Sequence, residues 1–395
     1  MFNSLHRPGR HFLQIPGPSN VPDRILRAMD RPTIDHRGPE FAELGRQCLD
    51  GMKSVAGAEA GQVFIFPATG TGAWEASLVN TLSPGDTVLM FESGHFSTLW
   101  KNLAENFGLV VDFIPGDWRH GVDPAMVQTK LAGDSDHRIK AVLCVHCETS
   151  TGISSRIEHV RIAMDAAEHP ALLIVDAISS LASVPYRHDA WRVDVTVASS
   201  QKGLMLPAGL SFNIVSERAL QASRTARMPR AFWSWEQMAQ FNRNGFFPYT
   251  PATNLLFGLK EAISMLVHEE GMERVWARHR RLAEATRSAV RAWGLELLCL
   301  DPDEYSDSLT AVLLPSGFEE HELRKIILDR YNLSLGAGLG KVKGKVFRIG
   351  HLGDFNELML CGTLCGVEMG LEKAGIPFSR NGVIAAMDYL NVDRA

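Results

Sequence analysis

The chain has 395 residues, 45 % of them hydrophobic and 22 % charged, which is the composition of an ordinary soluble globular protein. Its length allows a large core and favours two domains. Forty lysine and arginine residues against 45 aspartate and glutamate residues give a formal net charge of −5. This charge gives no electrostatic reason to expect a nucleic acid or an anionic membrane as a partner.

Targeting and membrane signals are not evident in the sequence. Residues 1–8 lack the apolar core of a signal peptide, and no apolar run approaches the roughly 18 residues of a membrane span. Residues 392–395 carry no peroxisomal or retention signal. We therefore expect a cytoplasmic location.

Six cysteines in a chain of this length do not indicate a disulfide scaffold. Cys144 and Cys147 have the spacing of metal ligands, but Cys144 lies in a strand-like run, where alternation would point the two thiols to opposite faces. We interpret them as buried reduced thiols and expect no metal site.

Short apolar runs alternate with amphipathic stretches through the first half of the chain. This alternation predicts an α/β fold with a mostly parallel sheet covered by helices on both faces. The predicted strands are residues 62–66, 87–91, 109–114, 140–145, 171–175 and 193–199, and the predicted helices are residues 72–81, 98–107, 123–131 and 156–167. Residues 209–215 are predicted to form a further strand, antiparallel and at an edge of the sheet.

The pattern changes near residue 252. A helix-rich stretch over residues 254–293 leads into an α+β segment with strands near residues 295–299, 309–314 and 346–349. We predict an amino-terminal arm over residues 1–20, a large domain over residues 21–260 and a small carboxy-terminal domain over residues 261–395.

Two polar residues, Asp176 and Lys202, follow buried strands of the predicted sheet. Ligands of open α/β sheets bind at the carboxyl ends of the strands. A carboxylate and an amine at that edge are what a pyridoxal phosphate (PLP) enzyme needs, since the lysine forms a Schiff base and the aspartate keeps the pyridine nitrogen protonated. The alternative on these residues alone is an ordinary strand-end aspartate and a surface lysine.

Two further segments lie at predicted strand ends. Residues 66–75 are rich in glycine and open a helix, so their backbone N–H groups could hold an anion. They form neither a Walker loop nor a good dinucleotide fingerprint. Residues 146–152 carry hydroxyls that could reach a ring oxygen, although such residues also cap turns.

Six motifs occur in the order found in class V aminotransferases, over about residues 11 to 391: residues 16–20, 68–73 and 146–152, Asp176, and residues 200–203 and 348–353. The chain most resembles the serine–glyoxylate and alanine–glyoxylate group of that family. The resemblance implies fold type I, with a large PLP domain, a smaller α+β domain and a homodimer with shared active sites.

The resemblance also implies the residues that hold the cofactor. Lys202 would form the Schiff base and then shuttle the α-proton, and Asp176 would pair with the pyridinium. Ile178 and Phe96 would cover the two ring faces, with Phe96 at a position that is often Trp. The remaining contacts would be Thr149 on the ring hydroxyl, Thr71, Gly72, Ala73 and Gln201 on the phosphate, and Thr250 on the phosphate from the other subunit. Phe247 stands where animal alanine–glyoxylate enzymes have a phosphate-binding Tyr, which Tyr249 could replace.

For the substrate, the resemblance implies Gly17 and Arg348. A guanidinium matches a carboxylate bidentately, so Arg348 would orient the amino acid. The alternative for Arg348 is a solvated basic hairpin, because Lys341, Lys343 and Lys345 precede it; these lysines we interpret as surface charge. Arg37 either assists carboxylate binding, reading a second carboxylate if the donor is aspartate, or forms a salt bridge at a helix start.

The implied reaction is a ping-pong transamination from a small L-amino acid (serine or alanine, with aspartate as the alternative) to glyoxylate or another small 2-oxo acid. Two other functions stay open: a different fold-type-I chemistry, such as a desulfurase or lyase, and a non-catalytic PLP-binding module. Desulfurases of this fold carry a nucleophilic Cys ahead of the carboxylate-binding Arg, yet no Cys lies between Asp301 and Phe347. They also usually have His where this chain has Gln201, and no basic DNA-binding segment is present.

Overall fold

The computed structural model describes residues 8–392. Its strands are β1 Phe12–Gln14, β2 Gln62–Phe66, β3 Thr87–Phe91, β4 Val110–Ile114, β5 Ile139–Val145, β6 Cys147–Glu148, β7 Ile153–Ser154, β8 Leu172–Asp176, β9 Val195–Ser199, β10 Ser211–Val215, β11 Glu296–Leu297, β12 Leu309–Leu313, β13 Leu333–Leu335 and β14 Val346–Gly350. Its α-helices are α1 Asp23–Met29, α2 Pro39–Ala56, α3 Gly70–Thr81, α4 His95–Asn106, α5 Pro124–Ala132, α6 Ile157–Ala166, α7 Glu217–Ser223, α8 Trp235–Asn242, α9 Thr253–Ile263, α10 Met272–Trp293, α11 Glu320–Tyr331, α12 Glu357–Lys373 and α13 Gly382–Leu390.

A seven-stranded sheet in the order β2-β10-β9-β8-β5-β3-β4 forms the centre of the molecule. Strands β5, β8 and β9 are buried almost throughout, as expected for parallel strands with helices on both faces. The six strands and four helices predicted between residues 62 and 199 are confirmed, with ends that differ by at most three residues.

Strand β10 is antiparallel, as predicted, but the prediction that it lies at an edge is wrong. It pairs with β9 on one side and with β2 on the other, and all five of its residues are buried. The partner β2 lies far upstream in the sequence, so the local pattern of β10 gave no sign of a neighbour on that side. The edge strands are β2 and β4.

The carboxy-terminal part is built on an antiparallel sheet in the order β11-β12-β14. The predicted helix-rich stretch forms α9, a π-helical segment Ser264–Glu270 and α10. Buried apolar side chains form two main clusters, one reaching from Ile25 to Val275 and the other from Leu282 to Leu390. The division into an arm and two domains stays a prediction, and residues 1–7 of the arm lie outside the described residues.

The segment after β1 brings the amino-terminal part of the chain to the centre of the molecule. Strand β1 pairs in parallel with β13 of the carboxy-terminal part. Beyond it, Ser19 donates its backbone N–H to the Gln201 carbonyl at 3.0 Å and its hydroxyl to the Lys202 carbonyl at 2.8 Å. Residues 16–19 therefore pack directly on the turn that carries Lys202.

Within residues 8–392, no helix is long and apolar enough to cross a membrane, and no group of three or more His, Cys, Asp or Glu is arranged to hold a metal ion. The cytoplasmic location stays a prediction. Cys144 and Cys147 are buried and free of disulfides.

Candidate active site

A cavity of about 180 Å³ opens at the carboxyl ends of the central strands. Because parallel strands end at one edge, side chains that are far apart in sequence converge there. The lining residues are Gly17, Pro18, Thr69, Gly70, Thr71, Trp74, Phe96, Val145, Cys147, Thr149, Asp176, Ile178, Ser179, Gln201 and Lys202.

Lys202 extends into this cavity from the turn after β9. Its side chain is buried, and Nζ donates to the Pro16 carbonyl at 2.5 Å. Burial lowers the pKa of the amine to about 8, and the charge of Arg348 acts in the same direction. The amine is therefore partly neutral near physiological pH, which a nucleophile or proton carrier requires.

Asp176 is the last residue of β8 and also lines the cavity. Its Oδ1 accepts the Ile178 backbone N–H at 2.7 Å, and its Oδ2 accepts the indole N–H of Trp74 at 3.0 Å. Burial raises the pKa of this carboxyl to about 7. A bound cation would lower that pKa again, so the site is built for a positively charged partner.

Thr149 lies beside Asp176 in the cavity wall. Its hydroxyl is 2.5 Å from the hydroxyl of Ser179, and both residues are buried. Because one of these hydroxyls donates to the other, the pair has one O–H left to donate to a further acceptor. Such a pair suits a ring oxygen that exchanges a proton.

The first turn of α3 and Gln201 form one end of the cavity. Thr69, Gly70 and Thr71 line it, and the first N–H groups of a helix have no acceptor within the helix. The side-chain Oε1 of Gln201 is buried without a hydrogen-bond partner. Gly72 and Ala73 lie outside the lining, and the Ala73 N–H bonds to the Thr69 carbonyl.

Ile178 and Phe96 both line the cavity and are half-buried. Gly70 is needed beside Ile178, because a Cβ at Gly70 would lie 2.3 Å from Ile178 Cδ1. Gly17 is constrained in the same way: its φ is +106°, and a Cβ there would lie 2.5 Å from Lys202 Nζ. Any larger residue at position 17 would displace the amine.

Arg348 lies behind this wall on β14 and does not itself line the cavity. Its Nη1 donates to the Thr149 carbonyl at 2.6 Å, and its Nε donates to the Ala337 carbonyl at 2.7 Å. The side chain is buried, and burial lowers the pKa of the guanidinium to about 10. No direct ion pair of Arg348 is found among residues 8–392, although the nearby charges of Glu148 and Glu320 act to raise its pKa.

Besides Gly72, Ala73 and Arg348, the predicted site residues Arg37 and Thr250 do not line the cavity of this chain. Arg37 is exposed, and its backbone N–H bonds to Asp35 Oδ1 at 2.9 Å ahead of α2. The described residues give it no salt bridge at the helix start. Thr250 is also exposed, in the loop before α9. The hydroxyl of Tyr249 donates to the Phe232 carbonyl at 3.1 Å, and Tyr249 does not line the cavity.

Sequence reasoning missed four participants: Pro16 as an acceptor for Lys202, Trp74 on Asp176, Ser179 on Thr149, and Cys147 in the wall. Trp74 could have been found, because it lies one turn into the helix that opens with the glycine-rich segment. Ser179 could have been found next to Ile178. The contact of Pro16 with Lys202 joins residues 186 positions apart and has no local signal.

Comparison with known proteins gives one answer. Residues 11–345 match the family model for class-V aminotransferases. The chain is 48 % identical to the serine–glyoxylate aminotransferase of Methylorubrum extorquens, over 98 % of both chains. The chain belongs to the class-V aminotransferases.

Other members of the family differ in their amino donor. The L-aspartate–glyoxylate aminotransferase of Paracoccus denitrificans is 45 % identical over 95 % of both chains. The crystal structure of alanine–glyoxylate aminotransferase from Nostoc sp. superposes with a TM-score of 0.86 at 28 % identity, over 94 % of this chain and 97 % of that one. The predicted family, the fold type I architecture and the transaminase class are thereby confirmed.

The cofactor of this aminotransferase is pyridoxal phosphate, as predicted, and the cavity fits it. Asp176 is a buried carboxylate without an ion pair among the described residues, which suits a cationic ring nitrogen, and the buried amine of Lys202 lines the same cavity. The helix start at Gly70 provides backbone N–H donors suited to an anion. The role of each individual residue stays a prediction.

Proposed function

We propose that this aminotransferase moves the amino group of a small neutral L-amino acid, first of all serine, to glyoxylate in a ping-pong reaction. The main support for this proposal is that one buried guanidinium, that of Arg348, lies behind a narrow cavity lined by Lys202 and Asp176. Relatives that use glyoxylate as acceptor are 45–48 % identical over nearly the whole chain.

Pyridoxal phosphate, when bound, carries the amino group between the two substrates and acts as an electron sink. In our proposal Lys202, Asp176 and Thr149 hold its reactive end, while Thr71, Gly72, Ala73 and Gln201 hold its phosphate. Ile178 and Phe96 cover its faces.

The residues of the chain perform the steps around that group. Lys202 holds and releases the α-proton, which its pKa of about 8 permits near neutral pH. Asp176 supplies a fixed negative charge that keeps a cationic ring nitrogen protonated. The Trp74 N–H and the Ile178 N–H keep that carboxylate in one orientation.

Arg348 binds the α-carboxylate that donors and acceptors share. Its Nη1 and Nε are fixed on the Thr149 and Ala337 carbonyls, so the guanidinium plane is set before substrate arrives. Gly17 and Lys202 lie so close together that no larger side chain fits at position 17, next to the reacting amine.

The choice of donor depends on whether a second cation reaches the substrate. Among the described residues that line the cavity, Lys202 alone carries a positive charge. This favours a neutral side chain such as that of serine. Aspartate is the second candidate, because the aspartate–glyoxylate relative is almost as similar as the serine–glyoxylate one.

We also propose a homodimer in which a second copy completes the site. Thr250 and Arg37 are exposed and outside the cavity of their own chain. Near Thr250, the 42 % exposed ring of Phe232 stacks on Tyr249 with centroids 4.4 Å apart. An exposed aromatic pair of this kind favours contact with another protein surface.

A desulfurase is disfavoured by the one thiol in the cavity wall. Cys147 is buried, and burial raises the pKa of its thiol to about 12. Such a thiol stays protonated and is a poor nucleophile.

The test is a donor-by-acceptor panel on the purified holoenzyme, with serine, alanine and aspartate against glyoxylate and pyruvate. We expect the highest kcat/KM for serine with glyoxylate. Arg348→Ala should raise KM for every substrate, because all carry the α-carboxylate. An effect on one substrate only would remove Arg348 from this role.

Arg37→Ala separates the two donors. Equal small effects on serine and aspartate would exclude a dicarboxylate site. Selective loss of aspartate turnover would support a dicarboxylate site that includes Arg37.

A further inference from the structure

A carboxylate that the reaction does not use lies fully buried beside the cavity. Glu148, on β6, has no exposed surface. Its neighbour in sequence, Thr149, lines the cavity, and helix α4 begins opposite it. A buried carboxylate is retained only where its oxygens are satisfied, so its contacts show what it holds.

Every hydrogen-bond partner of the Glu148 carboxylate is a donor. Its Oε2 accepts the backbone N–H groups of Phe96 at 3.1 Å and Ser97 at 3.0 Å. Its Oε1 accepts the backbone N–H of Ser150 at 3.0 Å and the Ser150 hydroxyl at 2.7 Å. The carboxylate therefore caps the first turn of α4, where N–H groups have no acceptor of their own in the helix.

The approach between Glu148 and this helix is close enough to require glycine. A Cβ at Gly94 would lie 2.4 Å from Glu148 Cγ and 2.5 Å from the Ser150 hydroxyl. Real Cβ contacts are longer, so a side chain at position 94 would displace the carboxylate. Position 94, just before α4, therefore requires glycine to leave room for Glu148.

The helix turn held in this way carries a ring into the cavity. Phe96 lines the cavity beside Lys202 and Asp176, and its own backbone N–H is one of the groups that Glu148 accepts. On the other side of Glu148, the Thr149 carbonyl accepts Arg348 Nη1 and the Thr149 hydroxyl contacts Ser179. Glu148 therefore links Phe96, at the ring-stacking position, to the segment with Thr149 that holds Arg348.

We propose that Glu148 is a positioning residue that holds Phe96 and Thr149 in place around pyridoxal phosphate. The inference rests on the proposed function, in that it takes this cavity as the cofactor site. It does not depend on which amino acid is the donor.

Substitution by glutamine makes the proposal testable, because both oxygens face donors. Whichever way the amide turns, at least one backbone N–H of Phe96, Ser97 or Ser150 loses its acceptor. Glu148→Asp keeps the charge but shortens the side chain by one methylene, so it cannot reach both sets of donors. It also guards against a glutamine variant that fails to fold.

A matched control is Glu304→Gln. Glu304 is also a buried carboxylate, 5 % exposed, and accepts a backbone N–H, that of Gly121 at 2.7 Å, but it does not line the cavity. Loss of general stability should affect this variant as much as the others.

The experiment measures the dissociation constant of pyridoxal phosphate and the visible circular dichroism of the bound cofactor, which reports how its ring is held. We expect Glu148→Gln and Glu148→Asp to raise the dissociation constant about tenfold or more and to change the dichroism. Glu304→Gln should match the wild type in both. Phe96→Leu combined with Glu148→Gln should be less than additive, since both act through one contact.

Two results would overturn the proposal: Glu148 variants that bind the cofactor as the control does, or full additivity with Phe96→Leu. A wild-type protein that does not bind pyridoxal phosphate at Lys202 would instead refute the proposed function itself.

Discussion

The indole of Trp74 donates its N–H to Asp176 Oδ2 across 3.0 Å, from helix α3 to the end of strand β8. Trp74 is 4 % exposed and stacks on Trp100, with ring centroids 5.6 Å apart and planes 11° from parallel. The carboxylate of Asp176 is therefore oriented by a ring that is itself fixed by packing. With the Ile178 N–H on Oδ1, each oxygen of this carboxylate has one fixed donor.

Replacing Trp74 by Phe removes this donor while keeping an apolar ring. We expect the dissociation constant of pyridoxal phosphate to rise about tenfold, because a hydrogen bond to a charged group contributes about 1.5 kcal/mol. Spectroscopic titration of the resolved apoenzyme measures it. Trp100→Phe is the control, since the Trp100 N–H is buried without a partner and its loss removes no contact to Asp176. Equal effects of the two substitutions would show that only packing matters.

Asp176→Asn should stabilise the apoenzyme while weakening cofactor binding. Burial raises the pKa of Asp176 to about 7, above the ordinary 3.8, so the folded state binds this proton more tightly than the unfolded state. That contribution is fully present below pH 3.8 and is lost as the pH rises through about 7. Asn has no charge to bury, which favours it by about 4 kcal/mol at pH 8. Its NH2 group must however face the N–H of Trp74 or of Ile178, which costs about 1–3 kcal/mol. The apoenzyme therefore gains on the order of 2 kcal/mol at pH 8, and this gain is lost near pH 4.

Urea unfolding of apo wild type and apo Asp176→Asn between pH 4 and pH 8 checks this dependence. A stability difference that does not change with pH would show that the carboxylate is not the source. The holoenzyme provides the contrast, because the cofactor's cationic nitrogen stabilises the aspartate and not the asparagine.

The pKa of Lys202 predicts how the association rate of the cofactor depends on pH. The neutral amine is the nucleophile, and the pKa of about 8 means that the neutral fraction rises about tenfold per pH unit below pH 8 and levels off above it. The association rate of pyridoxal phosphate with apoenzyme, followed by absorbance, should show this midpoint. Arg348→Gln should move the midpoint upward, since the charge of Arg348 lowers the pKa of Lys202. Lys202→Ala should fold, bind the cofactor only reversibly and lose transamination.

The sequence predicted those site residues that follow strands, because the carboxyl ends of parallel strands meet at one edge. Asp176, Thr149 and Lys202 were found in this way, and the resemblance supplied Arg348. Contacts between distant segments were not predictable, such as Trp74 with Asp176 or Pro16 with Lys202. Local pattern shows which face of an element is buried but does not show which group it meets. The same reason explains why β10 was wrongly placed at an edge.

The basic segment before Arg348 is the clearest case in which the local sequence did not show the contacts that a residue makes. Lys341, Lys343 and Lys345 are all exposed, as predicted, but Lys341 is more than surface charge. It forms an ion pair with Glu92, and its Nζ lies 5.5 Å from the ring centroid of Trp118. Trp118 in turn donates its indole N–H to Glu92 at 3.1 Å.

These contacts tie the loop between β13 and β14 to the large sheet. A Cβ at Gly340 would lie 2.5 Å from Trp118 Cη2, so the loop packs directly on that ring. The same loop holds Arg348: Gly336 exchanges two backbone hydrogen bonds with Arg348, and the Ala337 carbonyl accepts Arg348 Nε. Lys341 therefore fixes one end of a loop whose other end fixes Arg348.

Lys341→Ala should raise KM about threefold to tenfold for donor and acceptor alike, with kcat changed less than about twofold. A partly buried ion pair and a cation–π contact contribute together about 1–1.5 kcal/mol, and both act on the position of Arg348 rather than on the reacting atoms. The matched control is Lys343→Ala, which removes the same charge from the same loop, where no partner of its side chain is found among the described residues. Steady-state kinetics at low and at 0.5 M salt measure the effect, and the difference between wild type and Lys341→Ala should persist at high salt, since the pair is in direct contact and Glu92 is 12 % exposed. If Lys343→Ala raised KM equally, net charge at the cavity mouth would explain the loss, and Lys341 would have no role in placing Arg348.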